Sequence, residues 1–157
     1  MVAGPVFTAV HVALPNHWGA SGEAIPARPL GGDMYELQAP PVYAYDLNRY
    51  DVVRATADQP GFVPEVREVV HRSGHTTLRL LFFEVVPAAR RAALIGSLTP
   101  AFESVRDRYF VLDLTPESDS VRIRAQLDAW EADGWIEYET CEAKQPGTFD
   151  DVPPAAD

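Results

Sequence analysis

Between Val66 and Val86 the chain reads VREVVHRSGHTTLRLLFFEVV, two apolar, β-branched runs on either side of Ser73-Gly74. A Ser-Gly pair supplies the positive φ of a tight turn, so the stretch reads as a β-hairpin. Side chains alternate across a strand. His75, Thr77, Arg79, Leu81, Phe83 and Val85 therefore share one face of the second arm, and Thr76, Leu78, Leu80, Phe82 and Glu84 share the other. Past Arg79 both faces are largely apolar, which suits only a strand covered on both sides, the central strand of a sheet. The rest of the chain has to supply that cover. The polar start of this strand is where chemistry is expected.

Upstream, Val6 to Leu14 has strand composition, Pro15 to Asp33 reads as a loop, and Met34 to Leu37 reads as a short strand stopped by Pro40-Pro41. Asp51-Val52-Val53 delivers the chain into a further strand, and Asp58 to Gly61 is a turn. Several short strands with turn punctuation fit a small bent sheet or partial barrel. Downstream the character changes. Pro87 to Leu98 has helix formers with Ala88, Ala92, Ile95 and Leu98 near one stripe, with Phe102 and Val105 continuing it after Pro100. Tyr109 to Thr115 is a strand, and a helix capped by Ser118 or Asp119 carries Ile123, Leu127 and Trp130 and stops at Gly134. Trp135 to Cys141 closes as a strand.

The expected fold class is α+β. A β-rich portion over 1–72 leads into a ferredoxin-like strand-helix-strand-helix-strand portion over 73–143 that shares the central hairpin, and 144–157 is a mobile tail. Arg79, Asp113, Glu137 and Glu139 then fall on the sheet face away from the helices, which the N-terminal strands either cover or leave as a groove.

With 157 residues and 46% hydrophobic content the chain can bury a sizeable core. A net charge of −10 opposes nucleic-acid binding, which needs clustered Lys and Arg against phosphates, and favours basic partners. One cysteine, Cys141, excludes an intramolecular disulfide and a cysteine-rich zinc site. No apolar run reaches the length of a membrane span and the start lacks a signal-peptide pattern, so a cytoplasmic location is expected. His11 and His17 share neither a helical nor a strand face, so no metal and no cofactor is implied.

Tyr50-Asp-Val-Val53 and Ser73-Gly-His-Thr-Thr-Leu-Arg79, followed by Val-Leu-Asp-Leu at 111–114 and a closing Gly-Trp-Ile-Glu-Tyr-Glu at 134–139, resemble an uncharacterised bacterial domain family of unknown function. The similarity runs from about Met34 to Glu142. The resemblance implies no activity. It directs attention to Ser73, Gly74, His75, Thr76 and Arg79.

His75 suits a general acid or base, since imidazole exchanges protons near neutral pH; the plainer reading bonds it to a neighbouring backbone carbonyl. Arg79 suits a carboxylate or phosphate anchor, or a structural ion pair with Asp113 first and a C-terminal glutamate second. Asp46 and Asp51 suit paired carboxylates or, more economically, turn and capping roles. Ser73 and His75 point apart and make no nucleophile pair, and Gly74 is a turn glycine rather than a phosphate cradle. Tyr43, Tyr45, Trp130 and Trp135 are read as core rather than as a ligand box. Two functions are compatible with these residues. One is a non-catalytic accessory, regulatory or immunity-type module binding a protein, a peptide or a small carboxylated ligand. The other is a small cofactor-independent enzyme using His75 with Arg79 as anchor.

Overall fold

The computed structural model describes residues 7–14, 20–99 and 101–142. It is a mixed α+β structure in two sheets. Strands β1 (Thr8–Ala13), β2 (Gly22–Gly31), β3 (Met34–Leu37), β4 (Val52–Thr56) and β5 (Glu65–His71) close a barrel in chain order. Strands β6 (Thr76–Phe82), β7 (Phe102–Arg106), β8 (Tyr109–Leu114) and β9 (Ile136–Thr140) form a second sheet in the order β7-β8-β6-β9. Helix α1 (Ala88–Gly96) joins β6 to β7, and α2 (Ser120–Ala132) joins β8 to β9.

The second core explains why β6 is central. Leu78, Leu80 and Phe82 point to the helical side, where Phe110, Leu112 and Leu114 of β8 meet Ile95 of α1 and Ile123, Leu127 and Trp130 of α2. Each such side chain contributes roughly 1.5–3 kcal/mol by leaving water. Asp119 caps α2 by accepting from the Arg122 N–H at 3.0 Å, and Gly134, at φ +77°, lets the chain turn into β9. The barrel has its own core of Val10, Ile25, Ala27, Leu37, Val53 and Ala55, with Leu14, Ala44 and Leu47 at the end facing the second sheet. Its seam is the single parallel pairing of His11 with Glu65, beside a 2.8 Å bond from the His11 N–H to the Pro64 carbonyl.

Three expectations are corrected. The hairpin around Ser73-Gly74 does not form: β5 pairs with β4 and β1, β6 with β8 and β9, and Gly74 at φ +89° carries the chain from one sheet to the other. Val66 and Val69 pack against the barrel core, so pairing β5 with β6 would open the barrel. The loop expected over Pro15 to Asp33 contains the ten-residue β2. Ile25 and Ala27 point into the barrel while Pro26 and Pro29 sit between them and beyond, and the register slips between Pro29 and Gly31, where an N–H is missing. Residues 102–106 are not a helical turn but the edge strand β7, paired with β8, so the order is strand, helix, strand, strand, helix, strand. The tail after Ala143 and His17 lie outside the described residues.

Candidate functional site

The connector between β3 and β4, residues 38–51, lies against the face of the second sheet that the helices leave open. Its backbone is gripped from both sides. From the barrel, the Glu23 carboxylate accepts the N–H groups of Val42, of Tyr43 at 3.0 Å and of Ala44 at 3.0 Å. From the sheet, the Tyr109 hydroxyl donates to the Val42 carbonyl at 2.6 Å, Arg79 Nη1 to the Ala44 carbonyl at 2.8 Å, and the Asp46 N–H donates to the Cys141 carbonyl at 2.6 Å. Asn48 accepts from the Thr77 hydroxyl at 2.9 Å, and the Ser73 hydroxyl donates to the Arg49 carbonyl at 2.6 Å.

Arg79 is the centre of this contact. It is 1% exposed, its Nε donates to Glu139 Oε1 at 2.9 Å, and its guanidinium lies 4.6 Å from the Tyr45 ring centroid. The Tyr45 hydroxyl donates to the other Glu139 oxygen at 2.6 Å. The acid partner is thus Glu139 and not Asp113. The register dictates it: Arg79 stands opposite Glu139 across β6 and β9, whereas Asp113 stands opposite Thr77. Burial alone lowers the pKa of Arg79, but Cys141, Tyr109, Glu139 and Tyr45 around it raise it above the ordinary arginine value, so it stays charged. For Tyr109 burial is the main influence and holds the phenol well above its usual range.

His75 belongs to a separate, more accessible cluster. Its Nδ1 lies 2.8 Å from Asp113 Oδ1, so the partner is a carboxylate and not the backbone carbonyl expected from the sequence. With Nδ1–H donating to Asp113, a neutral ring presents Nε2 as an acceptor. The His75 side chain is 13% exposed and Asp113 is buried. Arg49 Nη1 is 3.6 Å from the other Asp113 oxygen, the Arg49 guanidinium lies 4.9 Å from the Tyr50 ring centroid, and that ring meets His75 edge-on at 5.1 Å. Tyr50 holds φ +67° and Asp46 φ +62°, left-handed conformations that non-glycine residues rarely adopt.

The remaining candidates have structural partners. Asp51, fully buried, accepts the N–H groups of Asn48 and Ser73, each at 2.9 Å. Ser73 also accepts the His75 N–H at 3.1 Å. Asp46 is exposed and pairs with Arg72 at 3.0 Å, and Arg72 also reaches within 3.7 Å of Asp51. Trp130 is in the core, with Trp135 stacked on it, while Tyr43 packs at the barrel end and Tyr45 covers Arg79. Among the described residues no group of three or more His, Cys, Asp or Glu side chains could hold a metal ion, and no helix is long and apolar enough to cross a membrane. Sequence reading missed Arg49, Tyr50, Glu23 and Tyr109. Arg49 precedes and Tyr50 begins the Tyr-Asp-Val-Val motif, but their meeting with His75 depends on a left-handed backbone at Tyr50 that local sequence does not announce.

The model of a domain of unknown function, DUF4265, matches residues 23–138. Among curated proteins none matches the chain. A crystal structure of a hypothetical protein from Neisseria gonorrhoeae is similar with a TM-score of 0.69 at 15% identity, covering 85% of this chain and 94% of that one. At that identity the likeness is one of fold.

Proposed function

The chain belongs to the DUF4265 family, whose activity is unknown, and on that premise we propose that it is a small acidic cytoplasmic module that binds a protein or peptide partner without catalysis, in an accessory, regulatory or immunity-type role. The observation that carries this reading is the state of Arg79. An enzyme built on His75 with Arg79 as anion anchor needs both side chains to reach one substrate. Arg79 is instead buried inside the fold, engaged through Nε and Nη1 by Glu139 and the Ala44 carbonyl and covered by the Tyr45 ring, with Nη2 left without a hydrogen bond among the described residues. The same interior pairing accounts for Ser73, Asp51 and Asp113. We read the second sheet with its helices as ferredoxin-like, supported by the order β7-β8-β6-β9, antiparallel throughout, and by a core shared with both helices.

A second reading draws on the 2.8 Å contact between His75 and Asp113. A carboxylate that fixes the imidazole tautomer is also the arrangement of a general base, and a small carboxylated substrate would then have to be held by Arg49 rather than Arg79. One experiment separates the two: pull-down from the source lysate in parallel with metabolite-depletion profiling, using wild type and His75→Asn. Asparagine keeps a donor toward Asp113 and removes proton exchange. A protein partner retained by both, with no metabolite consumed by either, supports the module. Consumption that vanishes in the variant overturns it.

A further inference from the structure

The barrel has a second end, remote from the second sheet. The pairs Gly31 with Met34, Met34 with Arg54 and Thr56 with Glu65 bring the end of β2, the start of β3, the end of β4 and the start of β5 together there, and the parallel pairing of His11 with Glu65 sets the start of β1 beside the segment that enters β5. Four large apolar residues stand at this end and are turned to solvent. Phe7 precedes β1 and is 56% exposed, Leu30 leads into the β2–β3 turn at 43%, and Phe62 and Val63 in the β4–β5 turn are 65% and 56% exposed. The barrel does not need them for its core, since Val10, Ile25, Ala27, Val53 and Ala55 are already at most 1% exposed without them. Several large apolar side chains turned to solvent at one end of a barrel are what an interaction surface requires.

The charges around it select the occupant. Arg54 pairs with Glu68, and Arg67 with both Asp58 and Glu65. Asp33, exposed in the β2–β3 turn, has no cationic partner among the described residues. Two arginines thus face four carboxylates on a chain whose net charge is −10. A second copy would set two acidic rims against each other, and nucleic acid or an anionic lipid surface would be repelled.

We propose that this barrel end, built on Phe7, Leu30, Phe62 and Val63, is the docking face for a basic, apolar segment of a partner protein. The proposal rests on the binding-module reading and gives it a surface and a partner class. The test uses the full chain and a fluorescent peptide of alternating Lys and Leu, with a Ser-for-Lys peptide as control, followed by anisotropy. Phe62→Ser/Val63→Ser should weaken binding of the Lys-Leu peptide about tenfold or more while circular dichroism is unchanged, because truncating exposed anchors removes contact area but no core. The Ser-Leu control should bind poorly, and raising salt from about 0.05 to 0.5 M should weaken the Lys-Leu complex. Equal binding by wild type and the double variant overturns the proposal, as does a concentration-dependent dimer that the double variant abolishes. If a lysate partner is captured and survives the double substitution, the module reading stands and this face is wrong. If neither peptide nor lysate partner binds, both fail.

Discussion

The two ends of the barrel solve opposite problems. At the end facing the second sheet, Arg79, Glu139, Asp51 and Asp113 are buried, and each is matched to a donor or acceptor from another element. At the other end Phe7, Leu30, Phe62 and Val63 are exposed and the charges pair along the rim. Buried polar groups cost several kcal/mol each unless partnered, so the first end holds one geometry and tolerates little change. Exposed apolar groups cost little in the folded chain, so the second end is free to vary and serve another molecule. Stability and recognition are divided between them.

The sharpest way to break this comparison is at Arg79. Arg79→Met should destabilise the fold by about 3–5 kcal/mol, because it leaves Glu139 buried without its cation. Replacing both, Arg79→Met with Glu139→Leu, should recover much of the loss; urea unfolding measures each. A single-variant cost under about 1 kcal/mol would mean the junction is wet and adaptable.

Asp51 and Asp46 sharpen it next, being five residues apart with opposite exposure. Asp51→Ala should cost about 2–3 kcal/mol through the two amides it leaves unpaired. Asp46→Asn, which keeps a residue type that tolerates φ +62° and loses only an exposed ion pair with Arg72, should cost about 1 kcal/mol or less by the same unfolding assay. Equal costs would show that the junction does not concentrate stability in its buried groups.

At the open end, Phe62→Ser/Val63→Ser should change unfolding free energy by no more than about 1 kcal/mol, each surface substitution staying within roughly 0.5. A larger loss would mean these side chains serve the fold.

The smallest effect lies in the barrel wall between the ends. Burial pushes the Glu36 carboxyl up, but hydrogen bonds from Gln38 and Arg28 and the Arg28 charge together hold it below its ordinary value of 4.5. A depressed folded pKa contributes stability above the unfolded value and loses it as pH falls through the folded one. Arg28→Ala should therefore lower stability near neutral pH by a few tenths of a kcal/mol, about the worth of a surface ion pair, and the difference from wild type should fade as pH falls below 4.5 and through the lowered folded value. A difference that persists at acid pH would assign the effect to packing of the Arg28 stem.

The resemblance to a family of unknown function, expected from about Met34 to Glu142, holds over residues 23–138, a stretch that also takes in most of β2. That strand was hidden by Pro26 and Pro29, which read as loop until Ile25 and Ala27 are seen facing the core. Periodicity by itself determined that β6 is covered on both faces, that α2 buries Ile123, Leu127 and Trp130, and that Arg79 needs an acid, since these follow from side-chain alternation and the cost of burying charge. Which acid it is, whether Ser73-Gly74 turns a hairpin or a corner between sheets, and where His75 finds its partner were decided only by tertiary structure. Glu139 and Asp113 are separated from Arg79 and His75 by tens of residues, and register between distant strands is chosen by the whole core rather than by either segment.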